Sequence, residues 1–239
     1  MLDTLANGLE ELGLSLTAAQ AEQFHIYLEE LLDWNRRMNL TSINDREQVQ
    51  TKHFLDSLTL VPLVQRVWPV GRAPDILDVG TGAGFPGLPV KIMLPAVRLA
   101  LLESVAKKTA FLQHLAGRLG LKDVTVVNGR AEEAAHRGEF RESFDIVVSR
   151  GLAKLPAAVE LTLPFCRVGG LAVAQKKGDI KAEIDAAARA IDLLGGKLAS
   201  VKEVPLRPLD TRLLVVVEKV APTPSRYPRR PGLPAKRPL

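Results

Sequence analysis

Cysteine is almost missing. Cys166 is the only one in 239 residues, so no disulfide can close within the chain. The four histidines, His25, His53, His114 and His136, are scattered, and no Cys/His group has zinc-site spacing. No resident metal is therefore expected. No apolar run approaches the ~18 to 20 residues needed to cross a bilayer. Met1-Leu2-Asp3-Thr4-Leu5 lacks the basic start of a secretory leader. Together these absences predict a soluble protein of the reducing cytoplasm, with no membrane partner. Nothing demands a dimer, so a monomer is expected.

Acid is missing from one stretch. From Pro222 onward there is no Asp or Glu, while Arg226, Arg229, Arg230, Lys236 and Arg237 stand among six prolines. The other 27 of the 32 lysines and arginines match 27 acidic residues, so this segment carries the whole net charge of +5. Proline at that density excludes a long helix or an inner strand. The segment 222–239 is expected to be an extended, mobile arm. A basic arm with Tyr227 suits a nucleic-acid backbone, and a solubilising tail is the alternative.

Glycine, by contrast, is concentrated. Asp78 to Gly87 reads Asp-Val-Gly-Thr-Gly-Ala-Gly-Phe-Pro-Gly, directly after the apolar pair Ile76-Leu77. A tight turn needs one or two glycines; four in eight residues suit a backbone that must approach a ligand closely. The next apolar run, Leu99–Leu102, ends in Glu103, whose carboxylate can accept both hydroxyls of a ribose. Gly82 to Gly87 also spells G-x-G-x-x-G, the dinucleotide fingerprint. However, Asp78 at the strand end opposes a pyrophosphate and suits a cation. S-adenosylmethionine, with an ammonium, a sulfonium and no phosphate, fits this pattern better than NAD.

The first 66 or so residues read as helices. Thr17 with Gln20 has capping-box spacing, and Asp45 with Gln48 repeats it. Gly71 and Pro74 mark a boundary, giving a helical extension over 1–70 and a second unit over 71–221. Strands are predicted at Ile76–Val79, Arg98–Leu102, Val124–Val127, Phe144–Ser149 and Leu171–Ala174, with helices between them. That alternation implies a parallel α/β sheet. Two last strands, near Leu198–Val204 and Leu213–Val220, have no helix between them. They must form an antiparallel hairpin through Pro205–Thr211. A mostly parallel Rossmann-like sheet ending in such a hairpin is the pattern of class I methyltransferases.

Further motifs are Trp34-Asn35, Asn39-Leu40-Thr41-Ser42, His53-Phe54-Leu55-Asp56-Ser57, Arg130-Ala131-Glu132, Ser149-Arg150 and Tyr227-Pro228-Arg229-Arg230-Pro231-Gly232. In this order, with Asp78–Gly87, they resemble the bacterial small-subunit rRNA methyltransferase family RsmG, formerly glucose-inhibited division protein B. The resemblance spans nearly the whole chain. It implies methyl transfer from S-adenosylmethionine to N7 of a guanine (guanine 527, in the 530 loop) of 16S rRNA, free or in the small ribosomal subunit. Glu103 stands where many members have aspartate, and Phe85 where others have leucine; neither change alters the chemistry.

The resemblance assigns the cofactor to Asp78, Gly80, Gly82, Gly84, Phe85, Glu103, Ser104, Ala131 and Glu132, and makes Arg150 a substrate-placing residue that also borders the cofactor. Alternatives stand beside these. Asp78 could serve loop amides, Glu103 could be a surface charge, and Glu132 could simply begin a helix. RNA contacts are expected from Asn39, His53, Asp56, Lys107, Lys108, Arg130, Arg212, Arg229 and Arg230, against helix capping and core polar bonding for the first three and solvated surface for the lysines, Arg130 and Arg212. No general base is required, because guanine N7 has a lone pair and no proton. Three other functions remain: methylation of another RNA guanine, an NAD-dependent oxidoreductase, for which only Tyr27 and Tyr227 could supply a tyrosine acid, and a non-enzymatic RNA-binding factor.

Overall fold

The computed structural model describes residues 2–68, 70–206 and 209–239. At its centre is a sheet of seven strands: β1 (Asp75–Val79), β2 (Arg98–Glu103), β3 (Val124–Asn128), β4 (Phe144–Arg150), β5 (Cys166–Lys177), β6 (Gly196–Leu206) and β7 (Leu209–Lys219). Their order is β3-β2-β1-β4-β5-β7-β6. The first five run parallel, and β7 pairs antiparallel with both β5 and β6. The hairpin is longer than the sequence suggests: β6 runs through Pro205 to Leu206, and positions 207–208 lie outside the described residues. Proline is tolerated there because β6 is an edge strand.

The inner strands are apolar on both faces, as a covered parallel sheet requires. Side chains alternate with a period of two. Ile76, Leu99, Leu101, Ile146 and Val148 face one core. Leu77, Ala100, Leu102 and Val147 face the other. The first core is shared with α1 (Asp3–Glu11), α2 (Ala18–Met38), α3 (Arg46–Val49), a π-helical turn (Gln50–Leu55), α4 (Asp56–Leu58) and α5 (Val61–Arg66). The capping box that opens α2 is present, with Thr17 Oγ1 accepting from the Gln20 amide. Gln20 Nε2 also donates to the Ile92 carbonyl near the end of α6 (Gly87–Met93). Gln23 Nε2 donates to the Leu119 carbonyl just past α7 (Ala106–Arg118). Each such bond satisfies a carbonyl at a helix end and contributes about 1 kcal/mol. They dock α2 across the sheet's helical layer.

The second core is covered by α8 (Ala131–Ala134), α9 (Leu155–Thr162) and α10 (Lys181–Leu193). The C-terminal segment joins this side and overturns the expectation of a mobile arm. Thr223, Tyr227, Pro228 and Pro234 are buried. The Arg229 guanidinium forks onto both oxygens of Glu160, which has no solvent exposure. A single helical turn, α11 (Leu233–Lys236), forms even here, because Pro234 falls in its first turn where no amide donor is needed. The segment is extended, but its carbonyls accept from His136 and Arg141 and Arg229 meets the buried Glu160, so it packs.

Candidate functional site

The carboxyl ends of β1, β2, β4 and β5 meet at one edge of the sheet, and the glycine loop lies across it. Gly80, Gly82 and Gly84 have φ of +70°, +63° and +101°. Gly84 is further constrained by space: an added Cβ would lie 2.5 Å from both Leu88 and the Tyr27 hydroxyl. At Gly82 a Cβ would meet nothing within 4 Å, so this backbone faces open space. The Tyr27 hydroxyl, buried on α2, donates to the Ala83 carbonyl at 2.7 Å and braces the loop from below. Burial pushes its pKa well above the ordinary value, so it stays a donor.

Two carboxylates flank the loop. Asp78 is fully buried; its Oδ2 accepts from Thr81 Oγ1 (2.7 Å) and the Gly87 amide (2.8 Å). Its Oδ1 has no hydrogen-bond partner. Burial raises its pKa to about 6, partly offset by those two bonds. Glu103 accepts from the Gly82 amide (3.0 Å) and the Val105 amide (2.8 Å). A carboxylate has about four lone-pair sites, so both acids keep acceptor capacity. The expected partition of Asp78 between loop amides and a ligand resolves as one oxygen for the loop and one unused.

The end of β4 carries a second cluster. Arg150 donates to Asp56 Oδ2 (2.9 Å), to the Lys52 carbonyl (3.0 Å) and to His53 Nδ1 (3.2 Å). Its guanidinium also lies over the Phe85 ring, 5.1 Å from the centroid. Phe85 is stacked between Tyr27 and His53, at 5.2 Å and 4.5 Å. Asp56 gives its other oxygen to Arg212 Nε at 2.7 Å. Arginine has donors only, so His53 Nδ1 is unprotonated and Nε2–H donates to Thr41 Oγ1 at 2.8 Å. Burial, and then the Arg150 charge, lower the His53 pKa to about 3, so it is neutral. Lys52, His53, Asp56, Arg150, Gln175 and Arg212 line a cavity of about 600 Å³.

The structure thus gathers Asp78, Glu103 and the glycines on one side, and His53, Asp56, Arg150 and Arg212 on the other, with Phe85 joining them. Arg212 is 7% exposed and bonded to Asp56, so the reading of it as a solvated surface residue is corrected. Glu132 takes its alternative reading, an acid in the first turn of a helix, α8. Its side chain turns away from the loop, and its Oε1 accepts from the Gly232 amide at 2.8 Å, because α8 presents it to the C-terminal segment. Arg229 is occupied by Glu160, whereas Arg230 is exposed. Asn39 is the left-handed C-cap of α2 and is exposed. Ser104, Lys107 and Arg130 are exposed, Lys108 and Ala131 half-buried.

Four supporting residues escaped the sequence reading. Tyr27 stood in the sequence only as a possible acid for the oxidoreductase alternative. Thr41 and Lys52 act through a hydroxyl and a backbone carbonyl. Gln175 pairs in register with Arg150 across β4 and β5, and its Nε2 holds the Asp56 carbonyl and Thr59 Oγ1, both at 2.9 Å. A polar residue two places before the end of a buried apolar strand was the available signal.

A family model described as rRNA small subunit methyltransferase G matches residues 20–210. A protein of Dehalococcoides mccartyi (strain CBDB1) named ribosomal RNA small subunit methyltransferase G is 47% identical over 239 residues, the whole of both chains. One of the same name from Roseiflexus sp. (strain RS-1) is 46% identical, also over both full lengths. Among solved structures, a putative O-methyltransferase from Klebsiella pneumoniae superposes with a TM-score of 0.56 at 17% identity. It covers 82% of this chain and 90% of its own. That likeness concerns the fold.

Proposed function

The chain belongs to the rRNA small subunit methyltransferase G family, and from that premise we propose that it methylates N7 of a guanine in 16S rRNA, using S-adenosylmethionine. The observation that carries the cofactor is Asp78 Oδ1, a fully buried carboxylate oxygen without a partner beside a loop that faces open space. An unpaired buried carboxylate is costly, and a cation relieves it. A pyrophosphate would instead meet two carboxylates, so NAD fits poorly.

S-adenosylmethionine supplies an electrophilic methyl group on a sulfonium. Asp78 would hold its ammonium and Glu103 its ribose, while the Gly82 backbone leaves room for the chain between them. Ala131 and Ser104, past β3 and β2, would border the adenine. On the other side, Arg150 and Arg212 offer donors to an anionic or carbonyl-bearing substrate, and Asp56 holds both in place. The main demand on these residues is placement, with the nucleophile ~3 to 3.5 Å from the methyl carbon and in line with the bond that breaks. His53, neutral, positions Arg150 and stacks on Phe85; it has no proton to remove from N7.

We assign phosphate contact to the exposed Lys107, Arg130 and Arg230 and the half-buried Lys108, and a further RNA contact to Asn39, exposed at the end of α2. An rRNA substrate supports a cytoplasmic location, and we propose that the protein acts as a monomer. No helix is long and apolar enough to cross a membrane, and no group of three or more His, Cys, Asp or Glu among the described residues forms a metal-binding cluster. The test is methyl transfer to small subunits and to deproteinised 16S rRNA, with the product located by primer extension after cleavage at 7-methylguanine. A stop at one guanine supports the reading. Label confined to protein, or to a guanine amino group, refutes it.

A further inference from the structure

Gln175 leaves a polar atom unused beside the cleft. It is 5% exposed and stands on β5, in register with Arg150 on β4. Both hydrogens on its Nε2 are used, one on the Asp56 carbonyl and one on Thr59 Oγ1, each at 2.9 Å. Those partners fix which way the amide points. A carbonyl only accepts, and the Thr59 hydroxyl already donates to that same Asp56 carbonyl at 2.7 Å. Oε1 is left buried and without a hydrogen-bond partner, in a side chain that lines the cavity of about 600 Å³. An unpaired buried acceptor is costly, and a donor brought into the cavity relieves it. Donors, by contrast, are in excess next to it. Of the five N–H groups on Arg150, three are bonded, to Lys52, His53 and Asp56.

The sheet order gives these groups a direction. β1, β4 and β5 are neighbours, so they present in turn the glycine loop, Arg150 and Gln175. Along that edge the chemistry runs from the methyl donor to a hydrogen-bond donor to an acceptor. Guanine carries the complementary groups in the same order: N7 with its lone pair, O6 as an acceptor, then N1–H as a donor. Adenine reverses the last two, with an amino donor followed by an unprotonated N1. We propose that Gln175 Oε1 accepts from N1–H of the target guanine while Arg150 donates to O6, so that the cleft selects guanine over adenine. The proposal rests on the rRNA methyltransferase reading above. It gives the two ends of one amide separate duties: Nε2 braces Asp56, and Oε1 reads the base. A site that hydrogen-bonds its substrate in this way rejects the wrong base by leaving polar groups unpaired.

The test changes single groups on the substrate. Small subunits are assembled on 16S rRNA that carries guanine, 1-deazaguanine or hypoxanthine at the methylated position. 1-Deazaguanine has C–H in place of N1–H and keeps N7, O6 and the amino group. Hypoxanthine keeps N1–H and lacks the amino group. Affinity of the full chain is measured with S-adenosylhomocysteine bound. That ligand has no methyl to transfer, so altered reactivity of the ring does not enter. In the parent, 1-deazaguanine should raise Kd about 10-fold, the size of one hydrogen bond to a neutral acceptor, and hypoxanthine should bind like guanine. Gln175→Leu should bind the guanine substrate about 10-fold more weakly and no longer distinguish it from 1-deazaguanine. Equal affinity of the parent for guanine and 1-deazaguanine overturns the proposal. So does a loss confined to hypoxanthine, which would put the amino group at Oε1. A Gln175→Leu variant that is weak yet still discriminates like the parent overturns it too, and leaves Gln175 as a brace for Asp56. The parent measurements need no substitution, so they decide the matter even where the leucine variant does not fold. A parent that transfers no methyl group to guanine-bearing subunits overturns the methyltransferase reading itself.

Discussion

Two arginine–carboxylate assemblies, one at α9 and one at the end of β4, differ in stoichiometry. In the C-terminal segment one guanidinium, Arg229, meets one carboxylate, Glu160, through both oxygens and its own amide, with Glu160 entirely buried. In the cleft two guanidiniums, Arg150 and Arg212, share one carboxylate, Asp56, beside a cavity of about 600 Å³. The first assembly is closed: charges balance and the donors on Arg229 that face the protein are used. The second is left with one positive charge more than negative, facing open space. A balanced, buried pair fastens a fold. An unbalanced pair at a cavity wall is short of an anion or a carbonyl, which a nucleic acid supplies. The sequence marked Arg150 as a substrate-placing residue and Arg229 as an RNA contact; the structure keeps Arg150 at the cavity and ties Arg229 to the buried Glu160.

The largest effect should come from breaking the closed pair. Arg229→Ala strands Glu160 without its cation. Breaking a buried ion pair usually costs 3–5 kcal/mol. Arg229 is 23% exposed, so about 2–4 kcal/mol is expected here after that discount. Urea unfolding checks it. Deleting 222–239 should cost more, since Tyr227 and Thr223 leave the core as well. A deletion that melts like the parent would show that the segment is not packed in solution.

Arg150→Ala should show the opposite profile. Asp56 keeps Arg212, so stability should fall by only about 1 kcal/mol. The kcat/KM for methylation should fall roughly 100-fold, equivalent to about 2.7 kcal/mol of transition-state stabilisation. Parallel losses of stability and activity in this variant would make the cleft assembly structural too, and erase the contrast.

These contrasts mark what was legible in the sequence. The sheet was, because strand periodicity, the glycine cluster and a missing last crossover each leave a local trace. The Asp78 and Glu103 positions were, because a carboxylate after an apolar run at a strand end is a local pattern. The packing of 222–239 was not. Its partners Glu160, Glu132, His136 and Arg141 lie about 70 to 100 residues away in sequence, and proline density describes a chain's freedom before it meets a surface. The π-helical turn at Gln50–Leu55, which presents the Lys52 carbonyl to Arg150, likewise leaves no signature in residue type.

A third prediction concerns the cofactor side, where no guanidinium bonds to either acid. Glu103→Ala removes the acceptor assigned to the ribose and should weaken S-adenosylmethionine binding by about 1.5–3 kcal/mol. Calorimetric titration reads this directly. Unchanged affinity would move the ribose elsewhere and leave Glu103 as a brace for the Gly82 amide.

The last effect sharpens the comparison by pH, because Asp78 and His53 are shifted in opposite senses of stability. Asp78 has a folded pKa of about 6, above its unfolded value of 3.8, chiefly from burial. The native state then holds more protons than the unfolded state between those values, so this group removes stability as pH rises through that window. His53 has a folded pKa of about 3, below 6.5, from burial and then Arg150. The native state holds fewer protons there, so its contribution is fully present above 6.5 and is lost as pH falls toward 3. Between about pH 4 and 6 the two slopes oppose each other, each at most about 1.4 kcal/mol per pH unit. Asp78→Asn leaves the His53 slope, so variant minus parent should become more stabilising as pH rises from 4 to 6. His53→Gln leaves the Asp78 slope, and its difference curve should tilt the other way. Taking differences cancels the carboxylates common to both proteins. Urea midpoints every half unit of pH decide it; two difference curves of the same sign would show that one of these groups is not buried as described. A cation bound at Asp78 restores its ionised form, so saturating S-adenosylmethionine should flatten the Asp78 contribution and leave that of His53 in place.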